Sequence, residues 1–154
     1  MKLVGKIGTK EGLQRMFHHL SSSKRGRKLC FVGHNIQKFD LRILCEEVKR
    51  HGLGKELKGV HFVDTLAVAR DQDVWQNHEK ERPNTFSLED LYSYLVGGVI
   101  PFQHSAVGDV LANAKVLKCL DPDLTITRSK YVRELSLDGE KEDGDGEEVE
   151  EGDE

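Results

Sequence analysis

The stretch FVGHNIQKFDLRIL, from Phe31 to Leu44, decides how the fold of this chain is interpreted. Its first residues are an apolar run of strand length, which ends at His34 and Asn35. Five residues after Asn35, Asp40 follows a phenylalanine and begins a run of apolar residues at helical spacing. Ligands of α/β proteins bind near the ends of such buried strands. Asp40 is therefore either a helix first-turn acid or a metal ligand.

Helical and strand patterns alternate on both sides of this stretch. The predicted elements are helices at residues 10–20, 38–52, 64–70, 87–95 and 105–120, and strands at residues 29–32 and 60–63. Thr9 and Ser87 are candidate N-caps, and residues 71–83 are predicted to form a polar surface loop. The last helix is expected to pack through Val110, Leu111, Ala114 and Leu117. This alternation indicates an α/β domain, although only two strands are clear and sheets usually have about five or six.

The charge of the chain is unevenly distributed. Residues 138–154 contain 11 acidic residues and one lysine, a net charge of −10. Because the whole chain carries −4, residues 1–137 carry +6, a charge that suits binding to polyanions. The acidic tail is too polar to bury a core, and we expect it to be disordered. It is either a solubilising extension or a segment that competes with nucleic acid for the basic body.

The cysteines and the apolar runs limit the class of protein. Cys30, Cys45 and Cys119 are an odd number without metal-binding spacing, which is typical of buried thiols in a reducing compartment. No apolar run approaches the length of a membrane span, and no signal peptide opens the chain. We expect a nuclear or cytoplasmic protein with no membrane contact.

Three motifs occur in a fixed order along the chain. They are HN-x3-FD (His34 to Asp40), DTL (Asp64 to Leu66) and HSAVGD (His104 to Asp109), with SLEDL between the last two. This order resembles the DEDDh 3′–5′ exonucleases, the superfamily of polymerase proofreading subunits and three-prime repair exonucleases, over roughly residues 5–120. The resemblance implies an α/β, ribonuclease-H-like exonuclease fold whose N-terminal strands are missing here.

The resemblance also implies a set of site residues. Asp40 and Asp109 would bind Mg²⁺ or Mn²⁺, and His104 would be the catalytic base. Phosphodiester hydrolysis by two metal ions needs carboxylates to hold the metals and a base to activate water. Both aspartates are expected in the first turn of a helix, where the helix dipole favours an anion, and His104 on the preceding loop. The substrate would be the 3′ end of single-stranded nucleic acid.

The first motif of the superfamily, Asp-x-Glu, has no counterpart upstream of His34, where Glu11 is the only acid. We therefore expect hydrolysis to be impaired. A second resemblance bears on this expectation, because KEGLQRMFHHLSS (from Lys10) and SLEDLYSYL (from Ser87) are similar to the exonuclease-like C-terminal region of promyelocytic leukaemia protein and its fish relatives. That region keeps the fold and has lost the catalytic acids. It implies the alternative function, a non-catalytic pseudo-nuclease.

Other residues have structural or binding interpretations. His34 and Asn35 are expected to shape the strand end and to contact nucleic acid, and Asp64 to accept backbone N–H groups at the following helix start. Trp75, in the polar loop, either stacks on a base or has no binding role. A basic turn either contacts phosphates, acts as a nuclear import signal or is simply solvated; it comprises Lys24, Arg25, Arg27 and Lys28.

These inferences predict three segments and leave three functions open. Residues 1–125 would form a partial exonuclease-like domain, residues 126–137 a linker, and residues 138–154 the disordered tail. The chain would be a 3′–5′ exonuclease that needs acids from elsewhere, a pseudo-nuclease that binds nucleic acid without cutting, or a protein-interaction module.

Overall fold

The structure is a computed structural model that describes residues 8–76 and 78–137. The predicted acidic tail lies outside the described residues. The elements in chain order are α1 (Thr9–Ser23), β1 (Cys30–Gly33), α2 (Asp40–Arg50), β2 (His61–Asp64), α3 (Thr65–Arg70), α4 (Gln72–Gln76), α5 (Leu88–Leu95), α6 (Ala106–Leu120) and β3 (Arg133–Glu134), with a 3₁₀ turn at Gly54–Leu57 and a π-helical turn at Thr127–Tyr131.

The three strands form one mixed sheet in the order β1-β2-β3. Strands β1 and β2 are parallel, in a register that pairs Cys30 with His61 and Gly33 with Asp64. Strand β3 is antiparallel to β2. The chain is thus a mixed α/β structure with a small sheet, which is compatible with an exonuclease-like fold.

Helices cover both faces of this sheet. Successive strand residues point to opposite faces, so Phe62 and Val63 of β2 enter different clusters. Phe62 packs with Ile36 and Leu41, on the side of α2. Val63 packs in the larger cluster that α3, α5 and α6 complete. The larger cluster thus fixes α3, α5 and α6 on one face of the sheet, and the smaller cluster fixes α2 on the other.

The helix starts agree in part with the predicted caps. The Ser87 side chain accepts a hydrogen bond from the Asp90 N–H at 3.1 Å and caps α5, as predicted. Thr9 is wrong as a cap, because Gly8 holds the N-cap position of α1 and Thr9 lies inside the helix. The apolar spacing of α1 is confirmed, since Phe17 is buried and Leu13 and Met16 pack beside it.

Helix α6 packs through a different face from the predicted one. Of the four residues expected to pack, Leu117 is buried, whereas Val110 and Leu111 are 67% and 58% exposed and Ala114 is also exposed. Apolar residues recur on both sides of this helix, so their spacing alone did not identify the buried side. The buried face comprises Gly108, Ala112, Asn113, Val116, Leu117 and Leu120.

The segment predicted as a polar loop is partly helical. Residues 72–76 form α4, and both Val74 and Trp75 of this helix are buried. The indole Nε1 of Trp75 donates a hydrogen bond to the Ala69 carbonyl at 2.8 Å. Trp75 is 7% exposed, which contradicts the alternative that it stacks on a base.

Residues 126–137, predicted to be a linker, pack on the rest of the structure. Strand β3 pairs with β2, and the Leu135 N–H donates to the Val60 carbonyl at 2.8 Å. The Tyr131 hydroxyl and the Lys130 ammonium both donate to Asp71, at 2.9 and 3.1 Å. This segment is held by backbone pairing with β2 and by hydrogen bonds to the Asp71 carboxylate, unlike a linker that makes no contacts.

Two further observations complete the fold. Cys30, Cys45 and Cys119 are free thiols, but the prediction that they are buried is wrong, because Cys30 is exposed and the other two are only partly buried. None of the helices in the described part of the chain has the length and apolar content that crossing a membrane requires.

Candidate functional site

A cleft of about 800 Å³ opens at the carboxyl end of β1. Residues from the strand end, from the start of α3 and from the first turns of α2, α5 and α6 line it. Parallel strands commonly end at ligand sites of this kind. The polar and charged residues that line the cleft are His34, Asn35, Asp40, Arg70, Ser87, Glu89, Asp109 and Asn113.

The turn after β1 is held by a buried isoleucine. Ile36 is 8% exposed and lies so close to the strand end that a Cβ at Gly33 would be 2.7 Å from its Cδ1. Glycine is therefore required at position 33. Asn35 takes the left-handed conformation, with φ of 56°, which asparagine tolerates better than most residues. The sequence GHN-I thus turns the chain sharply and directs the next residues toward α2.

Asp64 fixes the same turn from the neighbouring strand. One carboxylate oxygen, Oδ1, accepts from the Asn35 N–H at 2.8 Å and from the Leu66 N–H at 3.0 Å. The other, Oδ2, accepts from the Gln37 N–H at 3.4 Å. The predicted structural role of Asp64 at the start of α3 is confirmed, and its bonds to Asn35 and Gln37 tie the ends of β1 and β2 together.

His34 belongs to a polar chain behind the cleft wall. Its Nε2 lies 2.8 Å from the Phe86 carbonyl, which only accepts, so Nε2 is the donor. Its Nδ1 lies 3.2 Å from the Thr65 hydroxyl, which is 2.7 Å from Asn113 Oδ1. Burial lowers the pKa of His34, and this effect outweighs the hydrogen bond to Phe86 and the nearby carboxylates, which favour the charged form. His34 therefore links the end of β1 to the start of α3, to the segment before α5 and, through Thr65, to α6.

Asp40 and Asp109 face the cleft from two different helices. Asp40 is the first residue of α2, and Asp109 lies in the first turn of α6. The prediction that both lie at helix starts is confirmed. Among the described residues neither carboxylate has a hydrogen-bond or ion-pair partner, so Asp40 does not act as a side-chain cap. Both carboxylates are available for a ligand.

His104 lies on the turn directly before α6. It is exposed, has φ of 65°, and is followed by Ser105, whose side chain caps the helix. Gly108 lets this turn pack against α6, because a Cβ there would be 2.3 Å from the Phe102 carbonyl oxygen. His104 does not line the cleft, unlike Asp109. Bringing its ring to the cleft would require rotation of the side chain or movement of the turn.

The described residues fit a two-metal site only in part. Asp40, Asp109 and Glu89 all line the cleft, but within residues 8–76 and 78–137 no three His, Cys, Asp or Glu side chains lie close enough together to hold a metal ion. Two metal ions held in one site require more carboxylate ligands than this. The described residues alone therefore do not form such a site.

The predicted basic turn lies away from the cleft. Its four residues are exposed on the connection between α1 and β1, and they line neither the cleft nor the cavity next to it. His34 and Asn35, which were predicted with them as nucleic-acid contacts, are at the cleft itself. The predicted nucleic-acid contacts therefore lie in two separate places. His34 and Asn35 line the cleft, whereas the turn outside it carries Lys24, Arg25, Arg27 and Lys28.

A second cavity, of about 950 Å³, adjoins the cleft. Asn35, Leu66 and Arg70 line both. The second cavity lies between α2 and the C-terminal segment, and we call it the basic groove because four basic residues line it, against the acids Glu46 and Asp64; the four are Lys38, Arg42, Lys49 and Arg70.

Several residues of these two cavities give no clear functional signal in the sequence. Glu89 was visible only as part of SLEDL, and Asn113 as one polar residue within an apolar helix. Arg70 ends a short helix and gave no separate signal. An asparagine within an otherwise apolar helical segment is an unusual feature, and that feature could have identified Asn113.

The sequence of this chain is similar to that of a known exonuclease from two organisms. Over 84 residues, the chain is 32% identical to three-prime repair exonuclease 1 of Homo sapiens and equally to that of Bos taurus. The match covers 54% of this chain and 27% of each relative. The chain therefore spans about a quarter of the length of these relatives. No family model matches the chain. The similarity supports an exonuclease-like relationship.

Proposed function

We propose that the chain is an exonuclease-type module whose cleft binds the 3′ end of single-stranded nucleic acid. Asp40 and Asp109 would face the terminal phosphodiester and would help to hold Mg²⁺ or Mn²⁺, whose charge would offset the repulsion between the carboxylates and the phosphate. Hydrolysis would require further acidic ligands from outside the described residues. The relatives are exonucleases by name, which supports this class of function.

The observation that carries the proposal is the pair of unpartnered carboxylates. Asp40 and Asp109 reach one cleft from separate helices, and their folded environment gives neither a structural task. Carboxylates directed at a phosphate repel it unless a cation lies between them. Divalent metal ions with oxygen ligands meet this requirement.

A non-catalytic nucleic-acid-binding module is the second candidate. It is supported by the lack of any three closely placed metal-ligand side chains among residues 8–76 and 78–137. In this alternative the cleft and the basic groove bind nucleic acid, or a protein partner, without cutting.

The finer features of the resemblance are part of this proposal. They are a ribonuclease-H-like sheet completed by further strands, similarity to the promyelocytic leukaemia protein region, a domain covering residues 1–125 and a nuclear or cytoplasmic setting. His104 would act as the base only after moving toward the cleft. Lys24, Arg25, Arg27 and Lys28 would bind phosphates outside it.

The test measures metal-dependent binding and cleavage together. A 5′-labelled single-stranded oligonucleotide is titrated with the purified chain in EDTA, in Mg²⁺ and in Mn²⁺. We expect either metal to tighten binding several-fold, because the cation offsets repulsion between carboxylate and phosphate. In Asp109→Asn and Asp40→Asn this gain should disappear. A ladder of 3′-shortened products would show that ligands outside the described residues complete the site.

Asp123→Asn is the matched control, because Asp123 is an exposed aspartate outside both cavities. It should keep the full response to metal. The metal-assisted site would be rejected if the affinity for the oligonucleotide were the same in EDTA, Mg²⁺ and Mn²⁺ and did not change in Asp109→Asn. That result would favour the non-catalytic module. A chain that binds no oligonucleotide at low salt would reject both candidates.

A further inference from the structure

The basic groove has more positive charge than its own ion pairs use. Arg42 is paired with Glu46 at 3.3 Å, and both side chains are largely exposed. Lys38, Lys49 and Arg70 have no ion-pair partner among the described residues. Four basic residues against two acidic ones give the groove a net charge of +2, which favours an anionic occupant.

The chain itself leads from this groove into an anionic segment. Leu135, Ser136 and Leu137 line the groove, and the next residue is Asp138. Residues 138–154, which we call the acidic tail, contain 11 acidic residues. Its first carboxylate is therefore attached one residue beyond the groove wall.

The tail is much longer than it needs to be to span the groove. Arg42 and Lys49 are about two turns apart on α2, roughly 10 Å. A stretch of 17 residues reaches up to roughly 56 Å when extended. Because the tail is tethered at the groove, its effective concentration there is on the order of millimolar. Weak charge pairing is then sufficient for substantial occupancy.

From this charge complementarity and connectivity, we propose that the acidic tail binds in the basic groove of its own chain. The carboxylates of residues 138–154 pair with Lys38, Lys49 and Arg70. Because Arg70 and Asn35 line both the groove and the cleft, the bound tail lies at the mouth of the cleft. Together with the proposed function, on which this consequence rests, tail binding makes the chain autoinhibited toward nucleic acid.

The contact is tested directly by carbodiimide cross-linking of the full chain, which joins a lysine amine to a carboxylate that pairs with it. Mass spectrometry should find tail peptides linked to Lys38 and Lys49. Lys115 and Lys118 are the control, since they are exposed on α6, across the sheet from α2. The links to Lys38 and Lys49 should fall sharply in about 0.5 M salt, which screens the charges.

The consequence is tested with a tail-neutral variant, in which the 11 acids become Asn or Gln. It should bind a single-stranded oligonucleotide roughly tenfold more tightly than the wild type at low salt. In a Lys38→Glu/Lys49→Glu background the same neutralisation should give a much smaller gain. In a Lys115→Glu/Lys118→Glu background the full gain should remain.

The outcomes separate this proposal from the proposed function. Cross-links spread evenly over all lysines, or an equal gain in both charge-reversed backgrounds, would overturn the groove contact while leaving nucleic-acid binding intact. Cross-links confined to Lys38 and Lys49, together with no oligonucleotide binding even by the tail-neutral variant, would sustain the contact and overturn the proposed function.

Discussion

The aspartates around the candidate site differ in what holds them. Asp64 accepts three backbone hydrogen bonds and joins the ends of β1 and β2. Asp40 and Asp109 line the cleft and have no partner among the described residues. The first carboxylate completes the fold, whereas the other two contribute no hydrogen bond or ion pair to the described part of it. Residues that the fold does not need are the stronger candidates for function.

The same contrast separates the two histidines predicted near the site. His34 bonds through both ring nitrogens to Phe86 and Thr65, which makes it part of the scaffold. His104 is exposed on a turn before α6. Asp64 and His34 therefore belong to the framework of the site, whereas Asp40, Asp109 and His104 remain available to a ligand. Substitutions can test this difference.

The largest expected effect is on stability, at Asp64. Asp64→Ala removes the acceptor for the Asn35 and Leu66 N–H groups and should lower the free energy of unfolding by about 2–3 kcal/mol. Urea denaturation followed by circular dichroism measures this change. Asp109→Asn is the control and should stay within about 0.5 kcal/mol of the wild type. If both variants lost the same free energy of unfolding, Asp64 would not differ from Asp109 in its contribution to the fold.

A smaller loss is expected at Thr65, which is fully buried. Thr65→Val keeps the shape and removes the hydroxyl that contacts Asn113 Oδ1 at 2.7 Å and His34 Nδ1 at 3.2 Å. The loss should be about 1–2 kcal/mol, because buried polar partners remain unsatisfied. Thermal unfolding measures it, beside Thr125→Val as an exposed control. A neutral Thr65→Val would show that this polar chain does not stabilise the fold.

The smallest effect is a pH dependence from His34. Burial lowers its folded pKa, so between the folded pKa and the unfolded value of about 6.5 the unfolded chain binds more protons. Stability should therefore fall as the pH drops below about 6.5, and His34→Gln should flatten this slope. Denaturation at a series of pH values measures it. A wild-type slope identical to that of the variant would mean that the His34 proton is not linked to folding.

The sequence predicted the framework of the site well. The motif HN-x3-FD located the end of β1 and the start of α2, and DTL located the cap of α3, because glycine, asparagine and aspartate act locally at such ends. The sequence-based predictions failed where distant contacts decide. Apolar residues on two sides of α6 did not show which side is buried, and a tryptophan among polar residues did not show that its ring is buried.

By itself, the sequence determined the order of five helices and two strands, without α4 and β3. It also determined the helix-start positions of Asp40 and Asp109 and the charge contrast between residues 138–154 and the rest of the chain. These properties follow from local periodicity, capping and composition. Only the tertiary structure decided that Asp40 and Asp109 share a cleft and that the C-terminal segment pairs with β2 beside a basic groove. Such placements depend on packing between segments that are distant in the chain, and no local pattern specifies them.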